Sequence, residues 1–199
     1  TKYAAGLLPI DTYKKDVDTL VPPQYKLDWD KLRNAVLKFG MRHSTLTAQM
    51  PSESSSVVCN ATNGIEPPRD FLSVKKSKKG TLKQIVPGYP HLKNNYTLLW
   101  NMKSMEGYLN IMAVIQKFFD QAISTNTSYN PQHYEGAEVP ASVLIGDVLK
   151  SYQLGIKTLD YQNTYDGKGD EEIEVNDSKS ELSAADLLDE DDTCDTCTI

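Results

Sequence analysis

The sequence predicts an α/β fold for this 199-residue chain, and three observations lead to that prediction. The composition, with 39% hydrophobic and 24% charged residues, is ordinary for a globular protein that buries a core. Four segments repeat apolar residues at helical spacing, and short strand-like segments lie between them. No apolar run reaches the roughly 18 residues that a membrane span needs, so we expect no membrane partner.

The first part of the chain contains two predicted helices and one predicted strand. Residues 28–39 form an amphipathic helix that starts after an Asp cap and ends before a glycine. Residues 45–48 form a brief strand. The next helix opens at Pro51, because proline is tolerated in a first turn, and the Asn63-Gly64 pair closes it. We expect Cys59, inside that helix, to be a small core residue.

A hairpin, two longer helices and a final strand make up the rest of the body. The hairpin pairs residues 71–74 with 81–86 around a lysine-rich turn, and the final strand covers residues 156–164. The third helix spans about residues 107–125, with an apolar side of Tyr108, Ile111, Met112, Ile115, Phe118, Phe119 and Ile123. The fourth helix spans about residues 140–152, with an apolar row of Val143, Leu144, Val148, Leu149 and Tyr152.

Charge is unevenly distributed along the chain. Residues 168–199 hold 12 of the 27 acidic residues but only 2 of the 21 basic ones, so an acidic tail follows a mildly basic body. We expect the tail to be disordered, because it cannot bury enough apolar surface to offset the entropy of ordering it. The lysines of the body are not interleaved with aromatic residues, which argues against a nucleic-acid partner. The chain starts at Thr1 without a secretory signal, and we expect it to be cut from something longer.

One candidate site is the run of hydroxyl residues that follows Pro51. Backbone N–H groups and serine hydroxyls at a helix entrance can converge on a phosphate, which the helix dipole also attracts. The alternative is that Ser52 or Ser54 only caps the helix, and composition alone favours this alternative.

A second candidate site is the cysteine pair Cys194 and Cys197 near the end of the acidic tail. Two cysteines at this spacing can be a redox dithiol or half of a zinc site, but the other cysteine and the histidines lack ligand spacing. A dithiol on a flexible arm can reach a disulfide and exchange with it, and roughly 30 residues span about 30 Å. The pattern favours a redox shuttle over incidental tail cysteines.

Three segments and the terminal cysteine pair carry a resemblance to a known family. The segments are residues 42–56, 60–69 and 157–167. Together they closely resemble the C-terminal part of the large catalytic subunit of class I ribonucleoside-diphosphate reductase, bacterial and bacteriophage type. The resemblance implies the C-terminal part of a ten-stranded α/β barrel over residues 1–167, with a small α+β subdomain at about 70–138. Residues 168–199 would then be a flexible acidic redox tail.

The resemblance also implies roles for individual residues. The residues that match the loop and helix entrance holding the substrate diphosphate are Pro51, Ser52, Glu53, Ser54 and Ser55. Cys194 and Cys197 match the tail pair that re-reduces the active-site disulfide and is itself reduced by thioredoxin or glutaredoxin. The residues that match part of the groove for the C-terminal peptide of the small subunit are Val143, Leu144, Val148, Leu149 and Tyr152.

The final strand matches the family's radical relay with one departure. The family has two adjacent tyrosines here, but this sequence has Asp160 followed by Tyr161. A carboxylate cannot replace a phenol in proton-coupled radical transfer, so Tyr161 is the only relay residue that the resemblance retains.

The function that the resemblance implies is radical reduction of ribonucleoside diphosphates in the cytoplasm. The active-site cysteines and allosteric sites of the family belong to the earlier part of the subunit, so we expect this chain to need a complementing N-terminal chain. We expect no cofactor in this chain, because the radical and di-iron centre belong to the small radical-generating subunit. The alternative is a noncatalytic remnant that binds the small subunit or thioredoxin.

Overall fold

The structure, a computed structural model, describes residues 1–77 and 80–167 of the chain. The helices are α1 (Pro9–Thr12), α2 (Trp29–Phe39), α3 (Glu53–Val58), α4 (Glu106–Gln116) and α5 (Ala141–Leu154). The strands are β1 (Leu72–Ser77), β2 (Gly80–Ile85), β3 (Asn126–Tyr129) and β4 (Tyr161–Thr164). Cys194, Cys197 and the whole acidic segment lie outside the described residues, so the redox tail and its disorder stay predictions.

The four strands form two separate pairs. β1 and β2 form the predicted antiparallel hairpin, with Leu72 opposite Ile85. β3 and β4 pair in parallel, with Asn126 opposite Tyr161, and α5 lies between them in the chain. Within residues 1–77 and 80–167 these sheets stay open, so the described part is mixed α/β without a closed barrel.

Two predicted helices agree closely with the structure. α2 starts where the Asp28 carboxylate accepts the N–H of Lys31 at 2.9 Å, and it ends at Gly40, whose φ is 75°. α5 begins after Pro140 and ends at Gly155, which is left-handed with φ 86°. Local capping residues set both ends of these helices, which is why the sequence pattern locates them.

The helix predicted after Pro51 is shorter than expected. α3 ends at Val58 rather than near residue 63, because Asn60 adopts a positive φ of 49° and turns the chain out of the helix. The prediction that Cys59 is a core residue is therefore wrong, since this thiol is exposed at the end of α3.

The third predicted helix also ends early, at Gln116 instead of Thr125. The buried Gln116 amide donates to the carbonyls of Phe119 and Gln121, at 3.3 and 2.8 Å, and accepts the N–H of Ile123 at 3.2 Å. These contacts satisfy the backbone of a turn in place of further helix. Two members of the predicted apolar side are exposed. Ile111 lies on the face of α4 opposite its buried residues, and Phe118 lies beyond the end of α4.

The predicted strand at residues 45–48 is not a regular strand. An isolated parallel bridge joins Gln49 to Ile123, and the N–H groups of Gln121 and Ser124 donate to the carbonyls of Thr47 and Gln49 at 3.1 and 3.0 Å. The final strand is shorter than predicted, since only Tyr161–Thr164 pairs as a strand.

The main core lies where α4, α5 and β3 meet. It consists of the buried residues Val17, Met105, Tyr108, Leu109, Met112, Ala113, Ile123, Tyr129, Leu154 and Ile156. A smaller cluster packs the N-terminal segment against α2 through Tyr3, Leu8, Ile10 and Val36. Within the described part of the chain, no helix is long and apolar enough to cross a membrane.

Candidate functional site

A cleft of about 830 Å³ lies between the loops that flank α3, the β1–β2 hairpin and the first residues of β3 and β4. Pro51 and Tyr161, which the sequence analysis assigned to two different motifs, both line it. The structure thus brings Pro51, and Ser56 from the serine-rich run after it, to the same cavity as Tyr161.

The serine-rich run enters α3 at the side of this cleft. Ser52 is the N-cap residue of α3, yet its side chain makes no capping hydrogen bond in this structure. Ser54 and Ser55 are exposed, whereas Ser56 is buried and lines the cleft. The capping alternative therefore fails for Ser52. Ser54 and Ser55 are exposed on α3 but are not among the residues that line the cleft.

Tyr161 is the first residue of β4, and 68% of it is exposed. The neighbouring Asp160 carboxylate accepts hydrogen bonds from the hydroxyls of Ser124 and Thr158, at 2.6 and 3.0 Å. The N–H of Asp160 donates to the carbonyl of Thr125 at 2.8 Å, which extends the pairing of β3 with β4. Asp160 thus holds the start of β4 against the segment before β3, beside the exposed phenol of Tyr161.

Tyr165 lies just beyond β4 and has a different environment. Its N–H donates to the carbonyl of Tyr129 at 2.9 Å, and its ring lies 5.3 Å from that of Trp100. The guanidinium of Arg69 lies over the same Trp100 ring at 5.9 Å. Tyr165 is therefore held in an aromatic contact, whereas the Tyr161 ring is open to the cleft.

Several polar residues of the cleft wall were not predicted from the sequence. Glu66 accepts a 2.6 Å hydrogen bond from the side-chain amide of Asn126, whose own oxygen is buried without a partner in the described structure. Gln84 donates to the carbonyl of Ala61 at 3.2 Å and so ties the hairpin to the loop after α3. Glu66 lay within the motif at residues 60–69, but Asn126 and Gln84 carried no recognisable signal.

The buried phenol of Tyr108 lies beneath this region. Burial, together with the carboxylates of Glu66 and Asp160, raises the pKa of Tyr108 to about 12. The Tyr108 hydroxyl therefore stays protonated at neutral pH, and the two carboxylates supply negative charge to this side of the cleft.

The apolar row predicted on α5 is divided between two sides of the helix. Val143 and Leu144 are half-buried and pack against the main core. Val148, Leu149 and Tyr152 are exposed by 52%, 62% and 74%, together with Ile145 at 58%. Leu149 also borders a shallow cavity of about 460 Å³ that includes Leu20. The exposed apolar surface of α5 is thus narrower than the row read from the sequence.

The described part of the chain is thus a mixed α/β structure with one parallel strand pair and a cleft that Pro51 and Tyr161 line. The chain belongs to the family of ribonucleotide reductase barrel domains, since the family described as "Ribonucleotide reductase, barrel domain" matches residues 1–92 and 87–162. The family match also supports a partial α/β barrel for the described part.

Curated relatives make the family assignment more specific. The chain is 54% identical over 177 residues to the ribonucleoside-diphosphate reductase subunit alpha of Haemophilus influenzae, covering 89% of this chain and 23% of the relative. Subunit alpha of ribonucleoside-diphosphate reductase 1 from Escherichia coli is 52% identical, covering 85% of this chain and 22% of the relative. The subunit alpha of Enterobacteria phage T4 is 43% identical, covering 93% and 25% respectively. The chain therefore spans about a quarter of the length of these relatives, and the resemblance to bacterial and phage subunits is confirmed.

Proposed function

We propose that this chain is the C-terminal part of the catalytic subunit of a cytoplasmic ribonucleoside-diphosphate reductase and acts together with the N-terminal portion of that subunit. The observation that carries the proposal is the family match over residues 1–162, combined with the cleft that Pro51 and Tyr161 share. In this proposal residues 1–167 complete a ten-stranded barrel, residues of about 70–138 form a small subdomain, and residues 168–199 form a redox tail.

In the proposed reaction, the substrate is a ribonucleoside diphosphate held by residues 51–55. The exposed hydroxyls of Ser54 and Ser55 are suited to donate hydrogen bonds to phosphate oxygens, and hydrogen bonds to a charged group are stronger than neutral ones. Replacing both serines with alanine should weaken diphosphate binding by about fivefold for each lost hydrogen bond. Equilibrium binding of CDP to the assembled protein measures this effect, and unchanged affinity would remove residues 51–55 from the substrate site.

Tyr161 is proposed as the relay residue of this chain. Its exposed phenol can lose an electron and a proton when a neighbouring group is reduced, and regain both when the next group is oxidised. The radical and di-iron centre would reside in the small subunit, whose C-terminal peptide would bind the exposed face of α5 at Val148, Leu149 and Tyr152.

Cys194 and Cys197 are proposed to deliver reducing equivalents. The two thiols would transfer two electrons and two protons to the active-site disulfide, which becomes two thiols, while the tail pair becomes a disulfide. The dithiol of thioredoxin or glutaredoxin would then reduce the tail disulfide and be oxidised in turn.

The test reconstitutes the chain with the N-terminal portion of the subunit and with the small subunit, and it measures diphosphate reduction. The isolated chain should show no turnover. Changing Cys194 and Cys197 to Ser should abolish turnover with thioredoxin but preserve turnover with a small dithiol, which enters the active site directly. Tyr161→Phe should abolish turnover with both reductants, whereas the matched variant Tyr165→Phe should retain it. Turnover by the Tyr161→Phe protein with either reductant would contradict the relay assignment.

Asp160 favours a second candidate function, a noncatalytic module that binds the small subunit or thioredoxin. Its carboxylate stands where the family's first relay tyrosine is expected, and it is engaged by Ser124 and Thr158. Under this candidate the reconstituted complex assembles but does not reduce diphosphates. Activity that appears or rises in Asp160→Tyr would identify Asp160 as an interruption of the relay, whereas full activity of the unchanged protein would exclude the second candidate.

A further inference from the structure

The turn that follows α4 joins segments that lie far apart in the chain, and Asp120 is at its centre. The Asp120 carboxylate oxygen Oδ2 accepts a hydrogen bond from the Tyr3 hydroxyl at 2.7 Å and another from the N–H of Leu46 at 2.9 Å. Tyr3 is only 3% exposed, and burial together with Asp120 raises the pKa of Tyr3 to about 12. Tyr3 therefore donates to Asp120 at any pH near neutrality.

The backbone of the same turn holds the loop that leads into the candidate diphosphate segment. The N–H of Asp120 donates to the hydroxyl of Thr47 at 2.9 Å, and the N–H of Gln121 donates to the carbonyl of Thr47 at 3.1 Å. Two residues after Thr47, Gln49 pairs with the segment before β3. Residues 45–49 are thus held in one register, immediately before Met50 and Pro51 enter the cleft.

The other side of the turn holds the segment that leads into β4. The ammonium group of Lys157 donates to the carbonyls of Phe119 and Asp120, at 2.9 and 2.6 Å. Four residues after Lys157 the chain reaches Tyr161. One turn therefore contacts both approaches to the cleft, the approach to Pro51 and the approach to Tyr161.

We propose that Asp120 is a positioning residue that sets the register of residues 45–49, and through them the placement of residues 51–55 relative to Tyr161. This inference rests on the proposed function, because it assigns Asp120 to the same diphosphate site. Asp120 acts through two accepted hydrogen bonds rather than through contact with substrate. An amide oxygen at this position can accept the same two bonds, whereas an alanine can accept neither.

The test measures kcat and KM for CDP in the chain reconstituted with the N-terminal portion and the small subunit. Asp120→Ala should raise KM about tenfold with little change in kcat, because the Leu46 N–H loses its carboxylate acceptor and the loop before Pro51 keeps only its backbone contacts to the turn. Asp120→Asn should restore KM to within about threefold of the unchanged protein, since it retains the acceptor. The matched control is Asp11→Ala, which removes another carboxylate of the N-terminal region. Asp11 bonds Leu8 and Arg33, whereas the Asp120 carboxylate bonds Leu46 in the loop before Pro51. The KM of Asp11→Ala should be unchanged.

The serine variants separate failure of this inference from failure of the proposed function. If Ser54→Ala and Ser55→Ala raise KM while Asp120→Ala does not, the diphosphate site stands and the positioning role is refuted. If none of these three changes raises KM, the proposed diphosphate site itself fails. If Asp120→Asn is as impaired as Asp120→Ala, the acceptor argument is wrong.

Hydrogen exchange on the chain by itself gives a second measurement that does not depend on assembly. The Leu46 amide should exchange at least severalfold faster in Asp120→Ala and near its original rate in Asp120→Asn. Tyr3→Phe removes one donor but leaves the Leu46 contact, so its Leu46 amide should remain protected. Unchanged exchange of Leu46 in Asp120→Ala would overturn the proposal.

Discussion

Replacing Leu109 with alanine should destabilise the fold by about 3–5 kcal/mol, as is typical when a buried leucine leaves a cavity. Leu109 lies on α4 with 0% of its surface exposed, and it belongs to the core formed by α4, α5 and β3. The substitution removes three carbon atoms from a close-packed site, so the lost transfer free energy and the cavity cost add. A loss of this size is a large part of the 5–15 kcal/mol that stabilises a typical domain.

Ile111 supplies a matched control on the same helix. It is 56% exposed, so Ile111→Ala should change the free energy of unfolding by about 0.5 kcal/mol or less. Urea denaturation followed by tryptophan fluorescence and far-UV circular dichroism compares both variants with the unchanged chain. Equal destabilisation by the two substitutions would refute the assignment of the buried face of α4, because the sequence pattern placed Ile111 on the apolar side.

Two further predictions concern pH and backbone conformation. The guanidinium of Arg33 lowers the pKa of Asp11 below its usual 3.8, so the stability that this carboxylate contributes is present above that value and is lost as the pH falls through the lower folded pKa. Asp11→Asn should therefore be less stable than the unchanged chain at pH 7, with the difference in unfolding midpoint shrinking in acid. Gly155→Ala should lower the free energy of unfolding by about 1–3 kcal/mol, because φ is 86° and the new Cβ would lie 2.7 Å from the Cβ of Lys14. Thermal unfolding should therefore show a lower Tm. The control Gly107→Ala should not lower Tm, because the space around Gly107 is open.

The sequence predicts elements whose ends are set locally. The ends of α2 and α5 follow from Asp28, Gly40, Pro140 and Gly155, which act through contacts within a few residues. The end of α4 could not be predicted in this way. The buried Gln116 side chain hydrogen-bonds the backbone of Gln121 and Ile123, and these bonds exist only once the turn after α4 has folded. The apolar spacing predicted that the helix continues to Thr125, but in the structure Ile123 forms a β-bridge with Gln49.

The candidate site was predictable only where a motif marked it. The motifs around Pro51 and Tyr161 were recognised separately. Their meeting in one cleft depends on the bridge between Gln49 and Ile123 and on the pairing of β3 with β4. Asn126 and Gln84 line the same cleft but are ordinary polar residues in the sequence, and tertiary contacts alone give them their place.

The contacts that build the cleft join residues at different separations along the chain, and these separations predict an order of folding. Ser128 and Asn163, on the paired strands β3 and β4, are 35 residues apart, whereas Leu46 and Asp120 are 74 apart. Closing a loop twice as long costs about 0.6 kcal/mol more. The loop between β3 and β4 also contains α5, which packs against β3 in the main core. We therefore expect β3, α5 and β4 to form the earlier nucleus and residues 45–49 to dock later. The cleft would then be completed in a late step of folding, after most of the chain's buried surface is already in place.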